Sequence, residues 1–452
     1  MEEVIFASSS VDGGVGCWGV ESGNPILRYK NCCSPPHGLV TVGRRFLASS
    51  QHRESSTTSS SGSVHYWSLH KPQVEIKSFP AKQIKPLVSD RRGTFLYGGS
   101  VSGDIYCWEV SSGRLLTKWH AHYRTVTCLA LCDDQSLLVS GSEDGTVKVF
   151  SLVTVFDEVA IQKGERLHLH SFLEHTRPVT DIKVGYGGAN AIIVSASEDR
   201  TCKVWRLSTG QLLRSIQFPT MIDAVALDPG EHVFHAGGRD GKIYIVALGA
   251  ESPSDSIYGK HILAALSEQG KAVTCLTFCA DGVSLVSGSE DGLIRVWDTR
   301  SRNIVRMIRH AKGPINNILV VTLPEELLKP QSCAGKKQSL LLPKPLEKYA
   351  NATHENGYVV GAKVFIGGHL TDSLPHTASY VSQDIMNQQI YEMQQQGSFA
   401  AAKMELEREK ADCNTAMQMV HRWKKTYENL HQFCVDEILD GDKLGKPTKG
   451  ST

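Results

Sequence analysis

The amino-acid sequence predicts an all-β fold built from repeated units, because three segments share one order of residue types. These segments are residues 138–150, 193–205 and 285–297. Each runs from an apolar stretch through serine and an acidic turn into a second apolar stretch that ends in tryptophan or phenylalanine. A strand–turn–strand unit that recurs at intervals of roughly forty residues is typical of one blade of a β-propeller.

The number of blades follows from the aromatic residue that ends the second of these strands, which would be the third strand of a blade. Equivalent positions can be traced along the chain at Trp18, Trp67, Trp108, Phe150, Trp205, Val246 and Trp297. Most intervals between them are close to about forty residues, and the longer ones contain evident insertions. The sequence therefore predicts a propeller with seven blades.

The two ends of the repeat region complement each other. Residues 4–9, 15–20 and 26–29 are predicted to be the second, third and outermost strands of the first blade, which leaves it without an innermost strand. Residues 314–321 have the pattern of an innermost strand but have no blade of their own. We therefore expect a propeller over residues 1–321 whose first blade is completed by this late strand, which removes the open sheet edges.

Buried hydrogen-bond relays are predicted in three blades. A histidine, a serine, an aspartate and a tryptophan can satisfy one another's polar groups there and fix a loop. The predicted relay residues are His122, Ser140 and Asp144 in the fourth blade, where Phe150 replaces tryptophan; His175, Ser195, Asp199 and Trp205 in the fifth; and Ser287, Asp291 and Trp297 in the seventh, without an evident histidine. A catalytic Ser–His–Asp triad is the alternative, but recurrence of the set in several blades favours a structural role.

Charge and hydropathy argue against several classes of function. The chain has 452 residues and a formal net charge of +1, so it is not expected to bind nucleic acid through its overall charge. No stretch is long and apolar enough to span a bilayer, which predicts no membrane partner. The N-terminus begins Met-Glu-Glu and lacks the pattern of a secretory signal, so we expect a reducing compartment.

Neither a metal nor a cofactor is predicted. Several of the 12 cysteines lie at apolar strand positions, including the pairs Cys128 and Cys132, and Cys275 and Cys279. These pairs lack the tight turn of a zinc site, so they are expected to be reduced thiols packed like small apolar side chains. Residues 14–19 match G-x-G-x-x-G, but they lie in a predicted β-hairpin, whereas dinucleotide binding needs a strand before and a helix after.

Three insertions and a linker interrupt or follow the repeats. The insertions are residues 54–63 (rich in Ser and Thr), 153–166 and 249–261. Residues 322–397 are expected to be a linker and irregular segment, because prolines alternate with lysine and serine in its first part. Within it, residues 358–367 are a candidate for one added strand.

A C-terminal α-helix of coiled-coil type is predicted over residues 398–440, followed by a disordered tail over 441–452. Apolar residues recur there at alternating three- and four-residue steps, and the other helix faces are charged. The seam includes Phe399, Leu406, Val420, Trp423, Tyr427 and Leu430. The helix could fold back on the propeller, dimerise or pair with another protein, and its narrow seam favours association with a second helix.

The repeats resemble those of the WD-repeat family over roughly the first two thirds of the chain. A narrower resemblance rests on less generic residues: the runs 175–188 and 312–317, the dipeptide 122–123 and the late helix. In these the chain resembles the WD-repeat subunit of the complex that matures the large ribosomal subunit.

That resemblance implies a non-enzymatic scaffold that works on pre-60S particles in the nucleus, in the nucleolus and nucleoplasm. Its implied partners are the helical-repeat subunits of the ribosome maturation complex, a midasin-type ATPase and the pre-60S particle itself. The resemblance also implies a role in removing the internal transcribed spacer from precursor ribosomal RNA, and self-assembly into a homodimer through the C-terminal helix.

Two other classes of function remain open from the sequence. A substrate receptor of a cullin-type ubiquitin ligase, or a signalling adaptor, would carry a basic residue after the Trp-Asp pair, and residues 297–300 read Trp-Asp-Thr-Arg. An enzyme with a propeller active site would bring acid and base groups together near the central channel, and the sequence shows no such set.

Overall fold

Short β-strands follow one another through the computed structural model, which describes the repeat region and a short segment beyond it. The described residues are 2–9, 11, 14–30, 32–43, 45–51, 62–157, 167–249, 261–267, 270–310, 313–323 and 342–349. The chain divides into two units, Met1–Ala362 and Lys363–Thr452, and every described residue belongs to the first unit.

The strands of the first four blades occupy the N-terminal part of this unit. They are β1 (Glu2–Ser9), β2 (Gly14–Gly19), β3 (Pro25–Lys30), β4 (Leu39–Val42), β5 (Phe46–Gln51), β6 (Ser63–Ser68), β7 (Val74–Ser78), β8 (Ile84–Ser89), β9 (Phe95–Ser100), β10 (Asp104–Glu109), β11 (Leu115–His120), β12 (Val126–Leu131), β13 (Leu137–Ser142), β14 (Val147–Ser151) and β15 (His168–Phe172). A one-turn helix, α1 (Leu152–Val155), follows β14.

The remaining strands build the last three blades and return to the first. They are β16 (Val179–Val184), β17 (Ile192–Ser197), β18 (Thr201–Arg206), β19 (Gln211–Gln217), β20 (Ile222–Leu227), β21 (Val233–Gly238), β22 (Ile243–Ala247), β23 (Ile262–Leu266), β24 (Val273–Phe278), β25 (Ser284–Ser289), β26 (Leu293–Asp298), β27 (Asn303–Arg309) and β28 (Ile315–Leu323). A 3₁₀ turn, Gly188–Asn190, lies between β16 and β17.

Among the described residues, the strands form seven four-stranded antiparallel sheets, which confirms the prediction of a seven-bladed propeller. Six sheets are consecutive in the chain: β4 to β7, β8 to β11, β12 to β15, β16 to β19, β20 to β23 and β24 to β27. The seven positions traced from Trp18 to Trp297 all fall in the third strand of a blade. The regular repeat therefore translates into one sheet per unit.

The first blade is completed by the end of the repeat region, as predicted. Its strand order is β28-β1-β2-β3, and β28 pairs with β1 so that Val321 lies opposite Val4. The strand begins one residue later than expected and continues to Leu323. Because β28 also lies beside β24 and β4, the ring of inner strands is closed by non-covalent pairing.

The apolar core lies between neighbouring blades. Seven clusters of buried side chains are found in the described residues, one at each blade–blade junction. Strands in the middle of a blade are covered on both faces, so β2, β5 and β13 are buried along their whole length. This explains why their sequences contain apolar, glycine and uncharged polar residues without an alternation of apolar and charged side chains.

Two segments that were predicted to be an insertion and a linker contain ordered structure. They are the start of the 153–166 insertion and residues 342–349. The 153–166 insertion starts inside α1, while residues 158–166 lie outside the described part. Residues 342–349, within the predicted linker, lie against the second and third blades without regular secondary structure. The rest of the 54–63 and 249–261 insertions, the candidate strand 358–367 and the C-terminal helix fall outside the described residues, apart from their flanking positions.

Candidate functional site

The structure brings the four predicted relay residues of the fifth blade together. His175 Nδ1 lies 2.8 Å from Asp199 Oδ2, and His175 Nε2 lies 2.8 Å from Ser195 Oγ. Trp205 Nε1 donates to the same Ser195 Oγ at 3.1 Å. Because an ionised carboxylate can only accept, His175 Nδ1 donates to Asp199 Oδ2.

Asp199 is ionised in this arrangement. Burial opposes its ionisation, but hydrogen bonds from His175 and Thr201 outweigh burial and hold its pKa well below the usual range. The carboxylate also accepts from the backbone N–H of Thr176 at 3.2 Å, so it fixes the loop between the fourth and fifth blades. The relay therefore connects a buried serine to the surface loop in front of β16.

The fourth blade has the same set of groups, but its histidine Nδ1 lies closer to the threonine hydroxyl than to the aspartate, which is 3.5 Å away. His122 Nε2 lies 2.6 Å from Ser140 Oγ, and His122 Nδ1 lies 2.7 Å from Thr146 Oγ1, which in turn donates to Asp144 at 2.6 Å. Burial lowers the pKa of His122, although Asp144 opposes this shift. Phe150 has no indole N–H, so Ser140 receives no donor from that position.

The seventh blade retains the serine and tryptophan, but its aspartate pairs with an arginine in place of a histidine. Trp297 Nε1 donates to Ser287 Oγ at 2.9 Å. Asp291 accepts from the buried guanidinium of Arg295 at 2.7 Å, on a third-strand position for which no relay role is predicted. The sequence signal that could have identified it is a charged residue flanked by apolar residues in the middle of the strand Leu293–Asp298.

These relays are internal supports of the blades. Ser140, Ser195 and Ser287 have no exposed surface, so a substrate cannot reach their hydroxyl groups. The relays do, however, hold surface loops: the backbone N–H of Tyr123 donates to Asp144 at 3.1 Å, next to the relay histidine of the fourth blade. Relay geometry therefore positions the side chains that these loops expose.

The loops held by the relays belong to one face of the ring, which we call the upper face. It is formed by the loops that enter each inner strand and by the loops between second and third strands. At its centre, inner-strand side chains connect successive blades: Thr127 donates to the carbonyl of Val179, and Thr180 donates to that of Ile222, both at 2.7 Å. These bonds fix the blades around the channel.

His37 crosses the mouth of the channel on this face. It precedes β4 in the second blade, yet its Nε2 lies 3.0 Å from the carbonyl oxygen of Thr180 in the fifth blade. Its own carbonyl accepts from the backbone N–H of Leu87 in the third blade at 2.9 Å. Burial lowers the pKa of His37 despite the nearby Asp181, so the ring is neutral at neutral pH. No local sequence pattern predicts this contact.

The upper face also exposes large side chains and a charged network. Tyr123 is 87% exposed and Leu173 is 70% exposed, both in loops that enter an inner strand. Arg239 Nε donates to both carboxylate oxygens of Asp223 at 2.9 Å, and its Nη2 donates to Glu198 at 2.6 Å. Exposed aromatic and arginine side chains on a rigid frame are characteristic of protein interfaces. We identify this face as the candidate interaction site.

The opposite mouth of the channel contains a cavity of 390 Å³, lined among others by Arg91, Lys183, Tyr186 and Phe278. Arg91 is already paired with Asp133 of the neighbouring blade. In the part of the chain that the structure describes, no group of histidine, cysteine or acidic side chains is arranged to hold a metal ion. Nor does any helix among the described residues have the length and hydropathy to cross a bilayer.

The remaining predicted site residues lie outside the described part of the chain. They are the seam residues of the C-terminal helix, Phe399, Leu406, Val420, Trp423, Tyr427 and Leu430. The nine described cysteines are unpaired thiols, and burial raises the pKa of several, including Cys128 and Cys275, to about 12. Such thiols are protonated at neutral pH and act as packing groups.

The fold and repeats define the class of the protein. The model of the WD domain, G-beta repeat family matches residues 113–151, 167–206 and 260–298. The chain belongs to the WD-repeat protein family.

Similarity to individual members extends over nearly the whole chain. The chain is 49% identical to Protein ROOT INITIATION DEFECTIVE 3 of Arabidopsis thaliana over 97% of this chain and 98% of that protein. It is 31% identical to WD repeat-containing protein 18 of Rattus norvegicus, over 82% of this chain and 85% of that protein. It is 30% identical to Pre-rRNA-processing protein IPI3 of Yarrowia lipolytica, over 74% and 80% respectively. The resemblance inferred from residues 175–188 is thereby confirmed.

Proposed function

We propose that this protein is a non-enzymatic scaffold in the assembly of the large ribosomal subunit and the processing of precursor ribosomal RNA. The observation that carries the proposal is the similarity to a relative named as a pre-rRNA-processing protein across most of both chains. A second relative of that kind, from Schizosaccharomyces pombe, supports it. The proposed site of action is the nucleus, in the nucleolus and nucleoplasm.

The geometry supports a scaffold more than an enzyme. The histidine and aspartate side chains that recur in the blades are hydrogen-bonded to each other or to other relay groups, and the relay serines are inaccessible to solvent. The upper face instead offers fixed loops with exposed aromatic and apolar side chains beside the charged network around Arg239. A rigid surface of this composition can bind a folded partner at little entropic cost.

The proposed partners follow from the family resemblance. They are helical-repeat subunits of the ribosome maturation complex, a midasin-type ATPase and the pre-60S particle. We assign the upper face around Tyr123 and Leu173 to one of these protein contacts. The proposed division of the chain is a propeller over 1–321, a connecting segment over 322–397, a partner or dimer helix over 398–440 and a tail over 441–452.

Affinity purification from nuclear extract, followed by mass spectrometry, tests the proposal. Tagged wild-type chain should recover helical-repeat subunits, the midasin-type ATPase and large-subunit ribosomal proteins. A Tyr123→Ala, Leu173→Ala double variant should lose at least one of these proteins. The matched control is Val305→Ala with Met307→Ala, which removes two apolar side chains, each 62% exposed, from the outer strand β27.

Two results would contradict the proposal in different ways. Recovery of a cullin and its adaptor without ribosomal material would contradict a function in ribosome assembly and would support a function as a substrate receptor of a ubiquitin ligase. Equal recovery of all partners by the upper-face variant and the outer-strand control would exclude the upper face as the contact, while leaving the assembly function supported.

The C-terminal helix has its own test. Deleting residues 398–440 should leave a folded propeller but lower the oligomeric mass, because the apolar seam provides the proposed second-helix contact. Light scattering measures the mass, and circular dichroism of the truncated chain is the control for folding. An unchanged mass would contradict self-association through this helix.

A further inference from the structure

The third blade has the tryptophan of a relay but not the serine. In the fifth blade Trp205 lies opposite Ile193, two residues before the relay serine Ser195. In the third blade Trp108 lies opposite Leu96, so the equivalent of that serine is Gly98. The indole N–H of Trp108 therefore has no hydroxyl acceptor within its own blade at the relay position. It donates to the backbone carbonyl of Glu347 at 3.0 Å.

The segment that supplies this carbonyl is bound mainly through its backbone. The N–H of Leu346 donates to Ser78 Oγ at 3.0 Å, and the N–H of Glu347 donates to the carbonyl of Gly113 at 2.8 Å. These contacts come from the outer strand of the second blade and the last loop of the third blade. The junction of the two blades thus forms hydrogen bonds with the backbone N–H groups of Leu346 and Glu347 and with the carbonyl of Glu347.

Leu346 anchors the segment in the apolar core. Leu346 is 5% exposed and belongs to the apolar cluster between the second and third blades, together with Tyr66, Trp108 and Leu115. Leu342, four residues earlier in the same segment, is 48% exposed. The groove therefore holds Leu346 in an apolar pocket, with Pro343 of the same segment also buried, and backbone hydrogen bonds flank the leucine.

The rim of the groove is shaped for close backbone approach. Gly113 has a φ of +73°, and a Cβ atom at this position would lie 2.3 Å from the carbonyl oxygen of Pro345. Only glycine allows both the left-handed conformation and the contact. Pro343 and Pro345 bias the residues before them toward extended conformations, which lowers the entropy cost of ordering the segment.

We propose that the junction of the second and third blades is a peptide-binding site for an extended segment anchored by one leucine that follows a proline. Its resident ligand is residues 342–349 of the same chain. Because the ligand is tethered, its effective concentration is of millimolar order and a free peptide must compete with it. The site fixes the chain to the propeller a second time after β28, independently of the function proposed above.

A peptide in trans tests the site directly in the full-length protein. The probe is a fluorescein-labelled synthetic peptide of residues 342–349, measured by fluorescence anisotropy. Leu346→Asp should eject the tethered segment, since an aspartate in the leucine pocket weakens docking by about thirtyfold or more, and should leave the pocket able to bind the probe. Leu342→Asp is the matched control, because Leu342 is largely outside the pocket.

We expect saturable binding of the probe to the Leu346→Asp protein and at least about tenfold weaker binding to the wild type and to Leu342→Asp. A probe that itself carries aspartate at position 346 should not bind. Failure of the probe to bind Leu346→Asp, or equal binding to all three proteins, would overturn the proposal.

Amide hydrogen exchange of the unmodified protein is a second test, which does not require the Leu346→Asp variant to fold. The amides of Leu346 and Glu347 donate to the propeller, so a proteolytic fragment covering residues 342–349 should be protected. Complete exchange of this fragment at the rate of an unstructured peptide would overturn docking.

Discussion

The fifth and third blades use one tryptophan position in two ways. In the fifth blade, Trp205 donates to Ser195, and the bond closes a relay within the sheet. In the third blade, Gly98 stands where that serine would be, and Trp108 donates to the backbone of Glu347, 239 positions away in the chain. In a blade without the relay serine, the indole N–H of the tryptophan can therefore bind another segment of the chain.

The difference shows how degenerate blades keep their fold. The indole ring of Trp108 remains fully buried and stacks on Tyr106 with an interplanar angle of 6°. Its contribution to apolar packing does not depend on the relay, so the polar contact can change without loss of the blade. The complete relay instead fixes a loop, as Asp199 does for Thr176.

The largest effect is expected from breaking the relay of the fifth blade. Asp199→Ala leaves the imidazole N–H of His175 and the backbone N–H of Thr176 without their acceptor, which should lower the free energy of unfolding by about 1–3 kcal/mol. Ser102→Ala is the matched control, because Ser102 occupies the equivalent turn position in the third blade. Its effect should be about 0.5 kcal/mol or less. Urea unfolding measures both, and equal losses would remove the distinction between the blades.

Acidification should weaken the protein in two stages. His37, His122 and His235 have lowered pKa values in the folded protein. Below about pH 6.5 the unfolded chain therefore binds more protons than the folded chain, and the free energy of unfolding falls. Asp144 and Asp199 have lowered pKa values, so their contribution is present above about pH 4 and is lost as pH falls toward the folded-state pKa. Unfolding curves across this range measure the slopes.

The variant Asp199→Asn sharpens this prediction, because it removes a carboxylate whose pKa is strongly lowered while keeping the side-chain volume. Its stability should depend less on pH below about pH 4 than that of the wild type. An unchanged acid slope would show that Asp199 is not selectively stabilised in its ionised form.

An intermediate effect is expected from replacing the two tryptophans by phenylalanine. Trp205→Phe and Trp108→Phe each remove a buried indole N–H and similar ring volume, so both should destabilise the protein. Only Trp108→Phe should also speed amide exchange in residues 342–349, by about fivefold for one lost hydrogen bond. Exchange that accelerates equally in both variants would indicate general loosening of the propeller.

The smallest effect is expected from restoring a hydroxyl to the third blade. Gly98→Ser offers Trp108 an acceptor within the blade, which should compete with the carbonyl of Glu347 and speed exchange in residues 342–349 by about twofold to fivefold. Gly98→Ala is the control for crowding, since either Cβ atom would lie 2.8 Å from Ile84. Equal exchange in the two variants would mean that the hydroxyl does not redirect the indole.

Repetition made the blades predictable from sequence. Each third strand is short and locally encoded, so the positions from Trp18 to Trp297 could be found by comparing repeats. Counting the strands showed that the first blade lacks an inner strand and that residues 314–321 form a strand without a blade. This strand corresponds to the observed β28. The residues of the fifth-blade relay could be placed because they share one template with the fourth.

Contacts that join distant repeats were not predictable in this way. His37 reaches the fifth blade from the second, where its Nε2 lies 3.0 Å from the carbonyl oxygen of Thr180. Residues 342–349 have a proline-rich composition that predicts a linker, yet Leu346 enters the core. Each depends on a partner far away in the sequence, so no local periodicity encodes it. The seam of the C-terminal helix stays a prediction, because it lies outside the described residues.

A role in large-subunit assembly is tested most directly by measuring precursor ribosomal RNA and ribosomal subunits after depletion of the protein. We expect accumulation of precursors that retain the internal transcribed spacer and a specific shortage of large subunits, both reversed by the wild-type chain. Normal precursor levels and an unchanged ratio of large to small subunits after complete depletion would contradict a role in large-subunit assembly.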